Sequence, residues 1–578
     1  MSILTAIRNL LLYKEPAKKD RFELLEDESE ELGQAEKENA VQSIPKIRIK
    51  EKLKASFFSR RQKESNPQNK ESSATRVDKK LRINLETIKN ELNFPINQDI
   101  VIREFMVMQQ YDAFIVYIDG MADKVTINDY ILRQLMISSS SQAASSGRDL
   151  IDSLVNNLLS VNQITRQTEY DKIIKQVLNG LTALFVEDAK ECILIESRGF
   201  DKRNVSNPLT ETIIKGPHEA FIENLRTNIT LVRKIIRNKN LVTEMLPTGK
   251  TDNMTCAIMY IKGIVNPKVV QELKRRINSI DIDQIQGDGT LDQLIEDHPF
   301  SLFPQILSTE RPDRTAHFLM EGKVALICDG TPYASVIPAT FFDMFHSSED
   351  YTLRWQYGTF LRIVRMIAAC VAVFLPGMYV ALTLYHHEMI PTELLSSLAK
   401  AREHLPFPTI IEILLMEISF ELLREAGIRV PGVIGQTLGI IGAIILGQAA
   451  VAAGLVSPAL IIVISITGLG SFAIPNYSLA FGVRISRFIF IACGAIAGFY
   501  GIAAGVFILG GLACSMKSFG VPYFSPVAPK TKSNRDAIIR MPTWMQKTRP
   551  DYLNTRDRTR MGKTVRGWAA QDKTGDRK

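Results

Sequence analysis

The sequence predicts an α/β cytoplasmic N-terminal region of two related subdomains, followed by an α-helical multi-span membrane domain. Three observations predict it. Between Val430 and Met516 the only charged residues are Arg484 and Arg487, so most of that stretch can lie in hydrocarbon. The region before it holds strand-length apolar runs with helical periodicity between them. A strongly basic segment then closes the chain. The whole-chain averages over 578 residues, 46% hydrophobic, 23% charged and net charge +8, therefore hide two unlike halves. They exclude a collagen, a wholly disordered chain and a disulfide miniprotein.

Residues 1–83 carry an acidic block (Glu23 to Glu38), a basic block (Lys46 to Lys63) and a Ser/Asn/Gln-rich run (Ser65 to Ser73). Such composition buries too little apolar surface to offset chain entropy and reads as a disordered charged tail. The run Met1 to Tyr13 is short, broken by Arg8 and without a small-residue cleavage site, so it does not read as a signal peptide. The part before the first span is therefore expected in the cytoplasm.

Residues 84–350 read as the soluble α/β region. Strand runs occur at Ala113 to Ile118, Ala183 to Val186, Cys192 to Ile195, Thr255 to Ile261 and Val324 to Cys328. Helical periodicity falls at Thr126 to Met136, Tyr170 to Leu181 and Pro267 to Ile280. Two strand runs end alike, in Asp119-Gly120 and Asp329-Gly330. Asp-Gly favours the positive-φ positions of a tight turn, so the pair predicts an internal repeat of one subdomain.

Residues 351–516 read as the membrane domain, with about four spans at 366–384, 438–456, 459–474 and 488–512. Gly494/Gly498, Gly501/Gly505 and Gly435/Gly439 stand at the GxxxG spacing that lets helix backbones approach. Residues 408–427 form an amphipathic or re-entrant helix in which Glu417, Glu421 and Glu425, spaced i, i+4, i+8, stack on one face. Intramembrane carboxylates left unneutralised mark an ion route, and in a symmetric oligomer each becomes a ring. The competing reading pairs Glu421 locally with Arg424 and turns the charges to solvent. Gln448 sits near the middle of its span, facing a pore or bonding a neighbouring helix. Glu417, Glu421 and Gln448 are thus the candidate ion-pathway residues.

Residues 517–578 form a basic cytoplasmic tail, fifteen Lys and Arg against five Asp. With Arg354, Arg362 and Arg365 ahead of the first span, this charge places both ends in the cytoplasm and makes the span count even. The chain's basic balance belongs to the tail and speaks for a membrane surface rather than for nucleic acid.

No P-loop, HExxH, GxSxG or kinase set is present, so the sequence does not read as an enzyme. His386 and His387 stand beside Glu388, but adjacent helical residues point about 100° apart. They read as interface histidines, and neither a metal nor a cofactor is expected. The six cysteines lack CxxC spacing and read as reduced apolar side chains.

Several strings resemble the A-subunit family of bacterial spore germinant receptors, the GerA-type spore germination proteins. They include Leu225-Arg226-Thr227-Asn228, Phe303-Pro304-Gln305, Thr309-Glu310-Arg311-Pro312-Asp313 and Asp329-Gly330-Thr331-Pro332. Further on stand His387-Glu388-Met389-Ile390-Pro391-Thr392, Phe420-Glu421-Leu422-Leu423-Arg424-Glu425-Ala426-Gly427, Gly447-Gln448-Ala449-Ala450 and Gly520-Val521-Pro522-Tyr523. The match runs in order through roughly residues 100 to 555. Ala220, in Glu219-Ala220-Phe221, departs from the family's glycine.

The resemblance implies a multi-pass subunit of a spore inner-membrane nutrient receptor. It also implies homo-oligomerisation into a nutrient-gated cation channel and two partners: a transporter-like, nutrient-binding B subunit and a lipoprotein C subunit. Glu310, Arg311, Asp313 and Asp329 then sit in turns that couple the soluble region to the membrane. The alternative within the family is a non-conducting scaffold, like the relative that assists dipicolinate release. A secondary transporter is a weaker third reading, because the spans show no inverted repeat.

Overall fold

The computed structural model describes residues 76–137, 147–199, 207–403, 405–429, 442, 445–531 and 536–562. The acidic and basic blocks, the Gly435/Gly439 pair, the first part of the expected second span and the tail beyond 562 lie outside them.

Two five-stranded antiparallel sheets follow one another. The first is built from β1 (Ile100–Val107), β2 (Tyr111–Ile118), β3 (Ile164–Gln167), β4 (Thr182–Val186) and β5 (Cys192–Ile195), in the order β1-β2-β4-β5-β3. The second uses β6 (Leu241–Thr248), β7 (Met254–Ile261), β8 (Leu307–Thr309), β9 (Val324–Cys328) and β10 (Ala334–Ile337), in the order β6-β7-β9-β10-β8. Strand for strand this is the same topology. Helices cover both faces of each sheet, which is why the central strands read as unbroken apolar runs.

In the first repeat α1 (Leu81–Glu91) precedes β1. The π-helical Thr126–Leu132 runs into α2 (Arg133–Ile137), and α3 (Gly147–Ser153) and α4 (Tyr170–Val177) follow. Ile88 of α1 and Ile173 of α4 pack on one face with Phe114, Val116 and Phe185. Leu135 of α2 packs on the other with Ile115, Leu184 and Ile193. The second repeat matches with α5 (Leu225–Ile235) and α8 (Pro312–Glu321) on one face. Its other face is covered by α6 (Pro267–Asn278) and α7 (Asp288–Ile295).

The expected repeat is therefore present, but its expected register is corrected. β2 corresponds to β7 and β9 to β4, so the two Asp-Gly strings end non-equivalent strands. Both runs are apolar because both strands are central and buried, which is a property of position rather than of descent. Asp329-Gly330 opens the β9–β10 hairpin, whereas Asp119-Gly120 leads into helix.

The repeats are joined by a buried ion pair. Arg233 of α5 bonds Asp99 bidentately and reaches Asn97 at 2.9 Å. The Thr243 N–H donates to the same Asn97 side chain at 3.0 Å.

After the second sheet, α9 (Ser348–Thr352) leads into α10 (Trp355–Leu384). Then follow α11 (Thr392–Arg402), α12 (Thr409–Arg429), the short helix 445–452, α13 (Pro458–Phe472) and α14 (Tyr477–Ser515). Among the described residues α10 and α14 are long and apolar enough to cross a membrane.

The expected single span 488–512 is corrected. Ala497 (φ −140°, ψ 20°) and Gly498 (φ 59°, ψ −138°) break α14, and Ile502 of the second arm packs on Phe490 of the first. The element is a helical hairpin. Its first arm begins at the soluble region, with Gly482 against the Leu302 carbonyl, and its second ends there, with Ser301 against Met516. At the far tip the Tyr385 hydroxyl donates to the carbonyls of Ala495 (2.8 Å) and Ile496 (2.9 Å), taking up helix-end acceptors. Along the way α10 and the first arm touch backbone to backbone: a Cβ on Gly494 would lie 2.5 Å from the Gly377 oxygen.

The tail is also more than a free basic strand. The hairpin of β11 (Lys517–Ser518) and β12 (Val521–Pro522) plugs the second repeat, with Phe519 in its core over Arg276. Arg540 then donates to the Leu353 (2.7 Å) and Tyr351 (3.0 Å) carbonyls beside the start of α10.

Candidate functional site

Two groups of candidate residues occupy different levels of the molecule. The first lies where α8 begins. β8 ends at Thr309 and Pro312 opens α8, a position that suits proline because that helix turn has no carbonyl to bond. Between them the Glu310 carboxylate accepts from the Thr210 N–H (2.5 Å) and hydroxyl (2.8 Å) and from the Glu211 N–H (2.7 Å). Arg311 is buried and donates to the Pro217 carbonyl at 2.7 Å and to Asp313 at 3.1 Å. Glu310 and Arg311, the latter held by Asp313, thus clamp the chain at 210–217, which connects the two repeats.

One turn on, Arg314 extends this clamp toward the helices. It pairs with Glu211 at 2.6 Å and donates to the carbonyls of Asp343 (3.1 Å) and His346 (2.8 Å). Lys323 holds the Asp343 carboxylate at 2.5 Å. His346 is buried, and burial followed by the nearby Arg362 charge pulls its imidazole well below the usual range, so it stays neutral. Its Nε2–H donates to the Ala537 carbonyl of the tail at 2.8 Å. Fully buried Asp350 then binds Arg362 (3.2 Å) and Arg365 (2.8 Å) of α10, and Arg362 also holds Asp536 at 2.8 Å. Arg314, Asp343 and Asp350 escaped sequence reasoning, because nothing in their spacing marks contacts made across the fold. Asp329 stands apart from this cluster. It accepts from the Leu225 N–H at 3.2 Å, at the start of α5.

The second group lies half-way along the helices. Glu417 of α12 pairs with Arg487 of α14 at 2.5 Å, and each side chain is only 1% exposed. Glu421 pairs with Arg484 at 2.7 Å and with Arg424 at 3.2 Å, keeping 36% of its side chain exposed. Arg487 also donates to the Ala372 carbonyl of α10, and Arg424 to Ser471 of α13. The local Glu421–Arg424 pair expected from the sequence is present, but both carboxylates are also neutralised from another helix. Gln448 is exposed on 445–452 and stands outside this cluster.

The placement of α12 gives the amphipathic or re-entrant helix expected at 408–427 a particular orientation. Ile411, Leu415, Ile418 and Leu422 point outward, Leu422 at 66% exposure, while Glu412 and Glu417 are buried. The helix is inside-out relative to one lying on a soluble core.

The comparisons with known proteins agree with the resemblance. A family model described as Bacillus/Clostridium GerA spore germination protein matches residues 86–552. The chain belongs to the GerA spore germination family. Spore germination protein KA of Bacillus subtilis is 38% identical over 85% of this chain and 90% of its own length. The uncharacterized membrane protein YfkQ of the same organism is 38% identical over 78% of this chain and 87% of its own. The crystal structure of the N-terminal domain of the A subunit of the Bacillus megaterium spore germinant receptor GerK3 is similar at 30% identity. That match covers 46% of this chain and 98% of that one, with a TM-score of 0.37. Relatives such as protein KA carry the names of spore germination proteins rather than of enzymes.

Proposed function

We propose that this chain is the A-type subunit of a germinant receptor in the spore inner membrane, and that its helices assemble with other copies into a nutrient-gated cation channel. The observation that carries the membrane part is the inside-out bundle. Glu417, Arg484 and Arg487 are buried between helices, while Leu422, Ile462, Leu469 and Phe507 point outward, Phe507 at 83% exposure. Charge inside and hydrocarbon outside suit lipid and oppose water. Among the described residues, α10 starts at the soluble region and both ends of the α14 hairpin return to it, which fits both chain ends in the cytoplasm.

Within this reading the soluble repeats sense or transmit a signal. The Glu310–Arg311–Asp313 clamp, passing through Arg314 and Asp350, couples them to α10, and Asp329 fixes α5 against the β9–β10 turn. Half-buried Glu421 and exposed Gln448 line the ion path or the boundary between copies, and buried Glu417 holds α12 in place. The B- and C-type subunits are the partners that deliver the nutrient signal. Purified protein in lipid vesicles should pass monovalent cations. In spores, Glu421→Gln should change nutrient-triggered potassium release, and unchanged release and selectivity would remove Glu421 from the path.

The pairing of Glu417 and Glu421 within one chain favours a second reading, a non-conducting scaffold. Vesicles that stay tight to cations under every condition would select it.

A further inference from the structure

Cys256 and Cys328 stand directly opposite each other on β7 and β9. The Asp329 N–H bonds the Thr255 carbonyl at 3.0 Å, which makes Thr255 and Asp329 a hydrogen-bonded pair. Pairs alternate along an antiparallel ladder, so Cys256 and Cys328 form the other kind, whose side chains come closest. Their Sγ atoms are 3.1 Å apart. Both thiols are free and buried on the face shared with Ile258, Leu326 and Phe519. The Cα spacing of such a pair, about 4.5 Å, falls inside the range a disulfide bridges. Bond formation needs a shortening between the two sulfurs and no change of register.

We propose that Cys256 and Cys328 are a modification site, a dithiol that hydrogen peroxide oxidises to a cross-strand disulfide. One sulfur, as thiolate, attacks the peroxide O–O bond and becomes a sulfenic acid, and the departing oxygen takes up a proton as water. The second sulfur attacks the sulfenic sulfur and expels a second water. The two thiols lose two electrons and two protons, and one peroxide is reduced to two waters. The bond ties β7 to β9, the strands at the centre of the second sheet, and closes a long loop between residues 72 apart in sequence. Burial makes the reaction slower than at exposed Cys370 or Cys514, because the peroxide must wait for local opening.

The test uses the full-length protein in detergent, treated with hydrogen peroxide, quenched, denatured, alkylated and digested for mass spectrometry. The expected product is a Cys256–Cys328 linked peptide that dithiothreitol removes. The unfolding transition of the oxidised protein should lie on the order of 10 °C above that of the reduced protein. Cys328→Ala should show neither effect, and Cys256→Val serves in its place if that variant fails to fold. Recovery of both cysteines as separately alkylated or separately oxidised peptides overturns the proposal. So does a linked peptide that leaves the transition where it was.

Discussion

A single buried carboxylate sets the clearest pH dependence. Asp292 of α7 accepts from Ser308 (3.2 Å) and Ser335 (3.0 Å) and forms no ion pair among the described residues. Burial, reinforced by Asp288 at the start of the helix and Glu296 just past its end, pushes it up to about 8. A folded value above the unfolded one means that the native state must keep a proton the unfolded chain has lost. Its contribution to stability is therefore whole below about pH 4 and declines as pH rises through about 8, by roughly 6 kcal/mol in all. Asp292→Asn should flatten this slope, with an advantage in Tm that grows from pH 5 to pH 8. Parallel curves for the two proteins would show that the residue is not titrating there. Glu417 and Arg487 make the complementary case. Glu417→Gln leaves a buried guanidinium without its counter-charge and should cost about 3–5 kcal/mol, read as a loss of thermal stability in detergent. Replacing both residues by leucine should restore much of that loss, because two desolvated charges disappear together. The acidic ladder of α12 was legible as spacing in the sequence. Its partners were not, since Arg484 follows Glu421 by 63 residues and Arg487 follows Glu417 by 70, and each pair meets only through packing.

Elements differed in legibility for a reason visible in the sheets. β2, β4, β5, β7 and β9 stand in the interior of their sheets, are buried on both faces and read directly as apolar runs. β1, β3, β6 and β8 are the edges, where Arg103 and Glu104, Arg166, and Pro247 break the pattern, as edge strands do. Interior β10 was missed because its four residues include Ser335. In the helices, the apolar run 488–512 gave the right composition and the wrong shape. Its GxxxG pairs hid a turn, because a glycine needed for close packing and one needed for positive φ look alike in a sequence. The two roles separate by substitution. Gly498→Ala places a Cβ 2.7 Å from the His386 ring in a conformation other residues avoid, and should cost at least about 2 kcal/mol. Gly510→Ala, with open space around it, should be close to neutral. Equal thermal shifts for the two variants would argue against a hairpin at 498.

At the scale of the whole molecule, the soluble repeats and the bundle are one connected body. Asp350 joins them through Arg362 and Arg365, and the tail closes the contact from behind through Asp536 and Arg540. Phe519→Ala should therefore loosen the second repeat even though it lies beyond the last helix, at about 3–5 kcal/mol for a buried aromatic. Hydrogen exchange should register this as faster opening of β7 and β9, and unchanged exchange there would place Phe519 outside the core. The plug also bears on how the chain is made. The second repeat is synthesised before any of the bundle, yet its core lacks a wall until residue 519 leaves the ribosome, after every hydrophobic helix has emerged. On the proposed membrane reading, a nascent chain carries an unfinished, adhesive sheet until the last helix is in place. The core is complete only once residue 519 has come back to the sheet that residues 241–337 began.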